Sequence, residues 1–83
     1  MNPDDLRERL INAMAALVAN SGWTYDYDDP NSRWSLSDDT YIDMLGDGSL
    51  TIQIAAPDYD RALPAMDAVE IAVSEHVVFM ADA

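Results

Sequence analysis

The sequence predicts an α+β domain of order α-β-β-β-β-α, an antiparallel β-meander with two helices packed on one face. Three observations lead there. Apolar residues recur at helical spacing near both ends of the chain. The stretch between them alternates apolar and polar residues with a period of two. The alternating runs are separated by clusters of Asp, Asn, Gly, Pro and Ser. At 83 residues the chain makes one small domain, 1–83, with a single core and little to spare.

The first helix starts at Asn2-Pro3-Asp4-Asp5. Asn2 is a capping residue, Pro3 suits the first helical position, and the aspartates meet the positive end of the helix dipole. Leu6, Leu10, Met14, Leu17 and Val18 form the apolar stripe, with Ile11 and Ala13 beside it and Arg7, Glu8 and Arg9 on the opposite face. Gly22 supplies a left-handed stop. Trp23-Thr24-Tyr25-Asp26-Tyr27-Asp28 alternates aromatic and polar residues; it reads as a strand, with an extended loop as the alternative. Asp29-Pro30-Asn31-Ser32 is turn chemistry, and Arg33 to Ser37 alternates again.

Thr40 to Ile54 organises the meander as a hairpin closed by Gly46-Asp47-Gly48. Directly opposed residues share a face, so the loop length can be tested by what it sets opposite what. A two-residue turn at Asp47-Gly48 opposes Asp43 to Ile52 and mixes the faces. A three-residue loop opposes Met44 to Leu50, Ile42 to Ile52 and Thr40 to Ile54, and puts Gly48 where a left-handed residue is required. A three-residue loop at Ser37-Asp38-Asp39 then opposes Leu36 to Thr40, Trp34 to Ile42 and, on the outer face, Arg33 to Asp43 as an ion pair. The inner face becomes Trp34, Leu36, Ile42, Met44, Leu50, Ile52 and Ile54. On this register Ile52→Ala costs about 2–5 kcal/mol, against almost nothing for Gln53→Ala.

The second helix begins between Asp58 and Pro64, because proline is tolerated only near a helix start. Leu63, Met66, Val69, Val73, Val77 and Met80 are its expected stripe; Val77 to Met80 is β-prone but stays in helical phase.

Composition excludes several functions. There is no cysteine, hence no disulfide or thiolate-metal site. The N-terminus carries acids where a signal peptide needs positive charge, and no apolar run has membrane-spanning length, so the expectation is a cytoplasmic domain. His76 is the single histidine, with no nucleophile or base arrayed around it. The segment from Asp26 fails as a calcium-binding EF-hand, since Asn31 replaces the loop glycine and Ser37 the closing glutamate. No catalytic residue, metal ligand or cofactor is implied, and the chain reads as a non-enzyme.

Charge is the strongest functional signal. Sixteen acids face four arginines and no lysine, a formal net charge of −12, and thirteen of the acids are aspartates. Such a surface disfavours direct contact with nucleic acid or an anionic membrane and attracts a basic protein. Asp26, Asp28, Asp29, Asp38, Asp39, Asp43, Asp47, Asp58 and Asp60 fall within one stretch that holds a single basic residue, Arg33. These nine, with Tyr41 as an outward aromatic, are the candidate partner-binding residues. Carboxylates in turns and on the outer sheet face are spaced to approximate a row of phosphates.

In being a short single domain with many turn aspartates and no catalytic equipment, the chain resembles the small phage-borne inhibitors of bacterial defence, the DNA-mimic anti-CRISPR and anti-restriction proteins. The likeness is one of size and charge, with no shared motif. It implies a nucleic-acid mimic acting in the cytoplasm of a bacterial host, on a partner such as a CRISPR effector complex. Two alternatives stand beside it. One is a homodimeric or adaptor domain using the sheet edge or Tyr41 and Leu45. The other is a salt-adapted acidic domain without mimicry.

Overall fold

In the computed structural model, which describes residues 2–82 and the side chains through Val73, the chain opens with helix α1 (Pro3–Asn20). Asn2 caps it, its Oδ1 accepting from the Asp5 amide at 2.9 Å. At the other end the Ser21 amide donates to the Leu17 carbonyl and Gly22 takes a φ of 80°. Four strands follow: β1 (Thr24–Asp28), β2 (Asn31–Ser37), β3 (Thr40–Met44) and β4 (Leu50–Gln53). They form one antiparallel sheet in the order β1-β2-β3-β4. A 3₁₀ turn (Ala56–Asp58) leads into helix α2 (Tyr59–Asp82). The α-β-β-β-β-α meander is therefore the fold.

The β3–β4 register is the expected one: Met44 opposes Leu50, Ile42 opposes Ile52 and Tyr41 opposes Gln53. The Leu45 amide donates to Ser49 across a three-residue loop, and Gly48 has a φ of 92°. Residues 24–28 form a true strand, Tyr25 opposing Trp34 and Asp26 opposing Arg33. The turn before β2 is shorter than Asp29-Pro30-Asn31-Ser32, because Asn31 and Ser32 already belong to the strand and only Asp29-Pro30, joined by a cis peptide, makes the corner.

The core joins sheet and helices. Trp34, Ile42 and Met44 of the sheet, Trp23, and Leu6, Leu10 and Met14 of α1 pack with Ala62, Ala65, Ala68, Val69 and Ala72 of α2 in one buried cluster. Ser32 and Thr40 share that buried face. Both helices thus cover the inner face, and the outer face carries Asp26, Arg33, Tyr41, Asp43, Thr51 and Gln53.

Four expectations are corrected. Ser37 opposes Thr40 across a two-residue Asp38-Asp39 turn, and the register shifts between Ser35 and Ser37. Leu36 is thus a bulge residue without a cross-strand partner, which restores the count and keeps Trp34 opposite Ile42. Of the expected α2 stripe Val69 is buried and Met66 and Val73 pack against the core, but Leu63 is 43% exposed and Ala62, Ala65, Ala68 and Ala72 complete the buried side. Two helices lying against each other over a narrow sheet need small residues at their contact. Ile52 is on the inner face but 41% exposed, because β4 is the edge strand. Arg7 does not sit on an outer helix face: its side chain is only 11% exposed. It donates from Nη2 to the Pro30 carbonyl at 2.7 Å and from Nε to Ser32 Oγ at 3.0 Å. The backbone over 77–80 is helical, and the side chains of His76, Val77 and Met80 lie outside the described residues.

Ile42→Ala should therefore lower the unfolding free energy in urea by about 2–5 kcal/mol. Ile52→Ala should cost only roughly 1 kcal/mol, since much of that side chain already meets water. Equal losses would contradict the edge placement. A Cβ on Gly46 would stand 2.7 Å from Cβ and Cγ of Pro30, so Gly46→Ala has to push the two turns apart. It should destabilise by about 1–3 kcal/mol in the same titration, as overpacking does.

Candidate protein-interaction surface

Strand alternation delivers three of the candidate aspartates to the outer face. Asp26 and Asp28 follow from the parity of β1, and Asp43 from that of β3. One cross-strand row reads Asp26, Arg33, Asp43, Thr51, and the next reads Thr24, Ser35, Tyr41, Gln53. Arg33 has an aspartate on either side but commits to one. Its Nε and Nη2 meet Asp43 Oδ1 and Oδ2 at 2.6 and 2.7 Å, the bidentate geometry guanidinium favours. The same guanidinium lies 4.1 Å from the centre of the Tyr41 ring. The hydrogen bond to Asp43 holds the Arg33 pKa above its ordinary value. Tyr41 is outward as expected, and its hydroxyl donates to Gln53 Oε1 at 3.1 Å, so it is half-buried in a cross-strand ladder. Asp26, Asp28, Asn31, Arg33, Asp43 and Leu45 border a shallow depression of about 550 Å³.

The remaining aspartates divide between the two ends of the sheet. Asp29 and Asp47 lie in the β1–β2 and β3–β4 turns at one end, and Asp38 and Asp39 in the β2–β3 turn at the other. The seven residues of β2 set those ends roughly 20 Å apart. Asp58 joins the second end, since Ser37 of that strand reaches it, and Asp60 follows in the first turn of α2.

Several of these carboxylates have structural tasks. Asp58 Oδ2 accepts from Thr40 Oγ1 at 2.7 Å and Ser37 Oγ at 2.8 Å, and Thr40 Oγ1 in turn accepts from the Ala55 amide at 2.9 Å. The Thr40 bond, then the Ser37 bond, draws the Asp58 pKa below the usual carboxylate value. Asp47 accepts from the Ser49 amide at 2.9 Å, which lowers its pKa likewise and shapes the loop. Asp29 Oδ1 accepts from the Tyr27 hydroxyl at 2.8 Å, and that bond raises the tyrosine's pKa. Asp26, Asp28, Asp38, Asp39 and Asp60 are exposed, and none of their carboxylates has a hydrogen-bonding or ion-pairing partner among the described residues.

Sequence reasoning placed Arg33, Asp43 and Tyr41 correctly relative to one another but missed the tasks of Asp58 and Arg7. The turn-rich context of Asp58 looks like any solvated loop, and nothing local in the sequence names Thr40 as its partner. Among the described residues no group of three acidic or histidine side chains converges as metal ligands would, and no helix is long and apolar enough to cross a membrane. In comparison with known proteins, the chain matches no protein-family model, no curated protein and no solved structure.

Because the folded pKa of Asp58 is depressed, its contribution to stability is present above the unfolded value of about 4 and is lost as pH falls through the lower folded value. Asp58→Asn should lower Tm at pH 7, and the gap to the parent should narrow below about pH 4. A gap that is constant from pH 7 to pH 3 would show that the charge of Asp58 is not what Thr40 and Ser37 hold.

Proposed function

We propose that the protein is an acidic protein-interaction module that inhibits by mimicking nucleic acid and blocking a basic nucleic-acid-binding groove. The observation that carries the reading is the set of exposed carboxylates with no intramolecular partner among the described residues: Asp26, Asp28, Asp38, Asp39 and Asp60. In the isolated domain these like charges repel one another. Facing Lys and Arg side chains they gain partners, steer association and make it sensitive to salt. Asp26 and Asp28 are two positions apart on one strand, about 6.6 Å, on the order of the phosphate spacing along a nucleic-acid strand. The partner is a basic protein, and a CRISPR effector complex is the class that the resemblance implies. A net charge of −12 disfavours direct contact with nucleic acid or an anionic membrane.

A second reading, a homodimeric or adaptor domain, draws on β4. That edge strand carries no charge in a chain of net charge −12, and Ile52 is exposed on it.

The deciding experiment is capture of partners on the immobilised protein from lysate of a bacterium with CRISPR and restriction systems, followed by duplex DNA at moderate salt. Capture of a nucleic-acid-binding complex that DNA displaces is the expected result. Asp26→Lys with Asp28→Lys, and separately Asp38→Lys with Asp39→Lys, should each weaken that capture about tenfold or more at low salt. Capture that neither DNA nor any charge reversal disturbs would overturn mimicry, and a dimer in light scattering would favour the second reading.

A further inference from the structure

The two edges of the sheet have opposite chemistry. β4 carries Leu50, Thr51, Ile52 and Gln53, with no charge. β1 carries Asp26 and Asp28 toward the outer face and Tyr25 and Tyr27 toward the inner one. Among the described elements β1 pairs with β2 alone, so every second residue turns its amide and carbonyl away from the sheet. Along that edge Asp26 and Asp28 are exposed, and Tyr27 is 53% exposed.

We infer that the free edge of β1 accepts an extended basic segment of the partner as a fifth strand. This rests on the reading of the protein as a module for basic partners and names how one of them binds. In an added antiparallel strand, directly opposed residues share a face with Cβ atoms about 4.5–5.5 Å apart. Lys or Arg at alternate positions then stands opposite Asp26 and Asp28, and the intervening side chains meet Tyr25 and Tyr27.

Arg33 does not compete for this role. It is opposite Asp26 in the sheet, yet its guanidinium is turned to Asp43 and Tyr41 on the far side. Leu45, 44% exposed beside the depression that Asp26 and Asp28 also border, offers an apolar wall for the methylenes of a long cationic side chain.

The charge pattern also decides what does not bind. Two copies of β1 paired antiparallel would oppose aspartate to aspartate, which is destabilising, so the occupant is not a second copy of this chain. The neutral β4 edge gives a basic strand no electrostatic reason to choose it. Backbone pairing supplies affinity, and the alternation of cations supplies selection.

The test is an NMR titration of the full chain at low salt with two acetylated, amidated peptides of one composition. One alternates, Thr-Lys-Val-Lys-Val-Lys-Thr; the other is blocked, Thr-Lys-Lys-Lys-Val-Val-Thr. The alternating peptide should shift and protect amides of residues 24–28 and bind about tenfold more tightly than the blocked one. The chain carrying Asp26→Lys and Asp28→Lys should lose it and gain an alternating glutamate peptide in its place. Equal affinity for both lysine peptides, shifts centred on residues 50–53, or no binding would each overturn strand addition. If DNA still displaces a captured partner when the alternating peptide fails, only the mode of contact falls. If capture fails as well, the functional reading falls with it.

Discussion

Everything in this domain depends on strand parity, which is set at one loop. With three residues between Leu45 and Ser49, Ile42 is locked against Ile52 and Asp43 against Thr51. A slip of one residue would turn the apolar set of β4 to water and its polar set to the core. Gly48 permits the loop by taking a left-handed φ, and Gly46 lets it approach Pro30 of the neighbouring turn. From that register the rest follows strand by strand: Trp34 and Ile42 go inward, Arg33 and Asp43 outward. The helices cover one face and leave the other to charge.

Each end of the sheet is then tied to what covers it by a buried hydroxyl on the inner face. At one end Ser32 accepts from Arg7 of α1 and hydrogen-bonds the hydroxyl of Tyr25, while Arg7 also holds the Pro30 carbonyl. At the other Thr40 donates to Asp58 and accepts from the Ala55 amide, fixing the path from β4 into α2. Buried hydroxyls with both partners satisfied stabilise; a hydroxyl with a partner removed would cost its desolvation. These two nodes brace a core that relies on alanine for much of its α2 side.

The acid excess consequently has two populations. Asp43, Asp47 and Asp58, with Asp29 beside Tyr27, are bound to groups of the domain and shape it. Asp26, Asp28, Asp38, Asp39 and Asp60 face solvent and contribute field without holding structure. Composition counts both populations alike. The proposed function rests on the second, whose carboxylates have no partner among the described residues.

What the sequence determined by itself is whatever depends on near neighbours and on period: the Asn2 cap, the stop at Gly22, the β3–β4 register, the inward Trp34, and the Arg33–Asp43 pair two strands wide. Each is legible because its cause lies within a turn, a hairpin or a strand alternation. The tertiary structure decided which side of α2 is buried, because the closeness of α1 favours Ala62, Ala65 and Ala72 over Leu63. It decided that Ile52, inward by parity, ends half in water because β4 is an edge of the sheet among the described residues. It decided that Leu36 bulges, that Arg7 turns to Pro30, and that Asp58 belongs to Thr40 rather than to solvent. Those outcomes depend on which elements become neighbours in space, a fact carried by no local pattern.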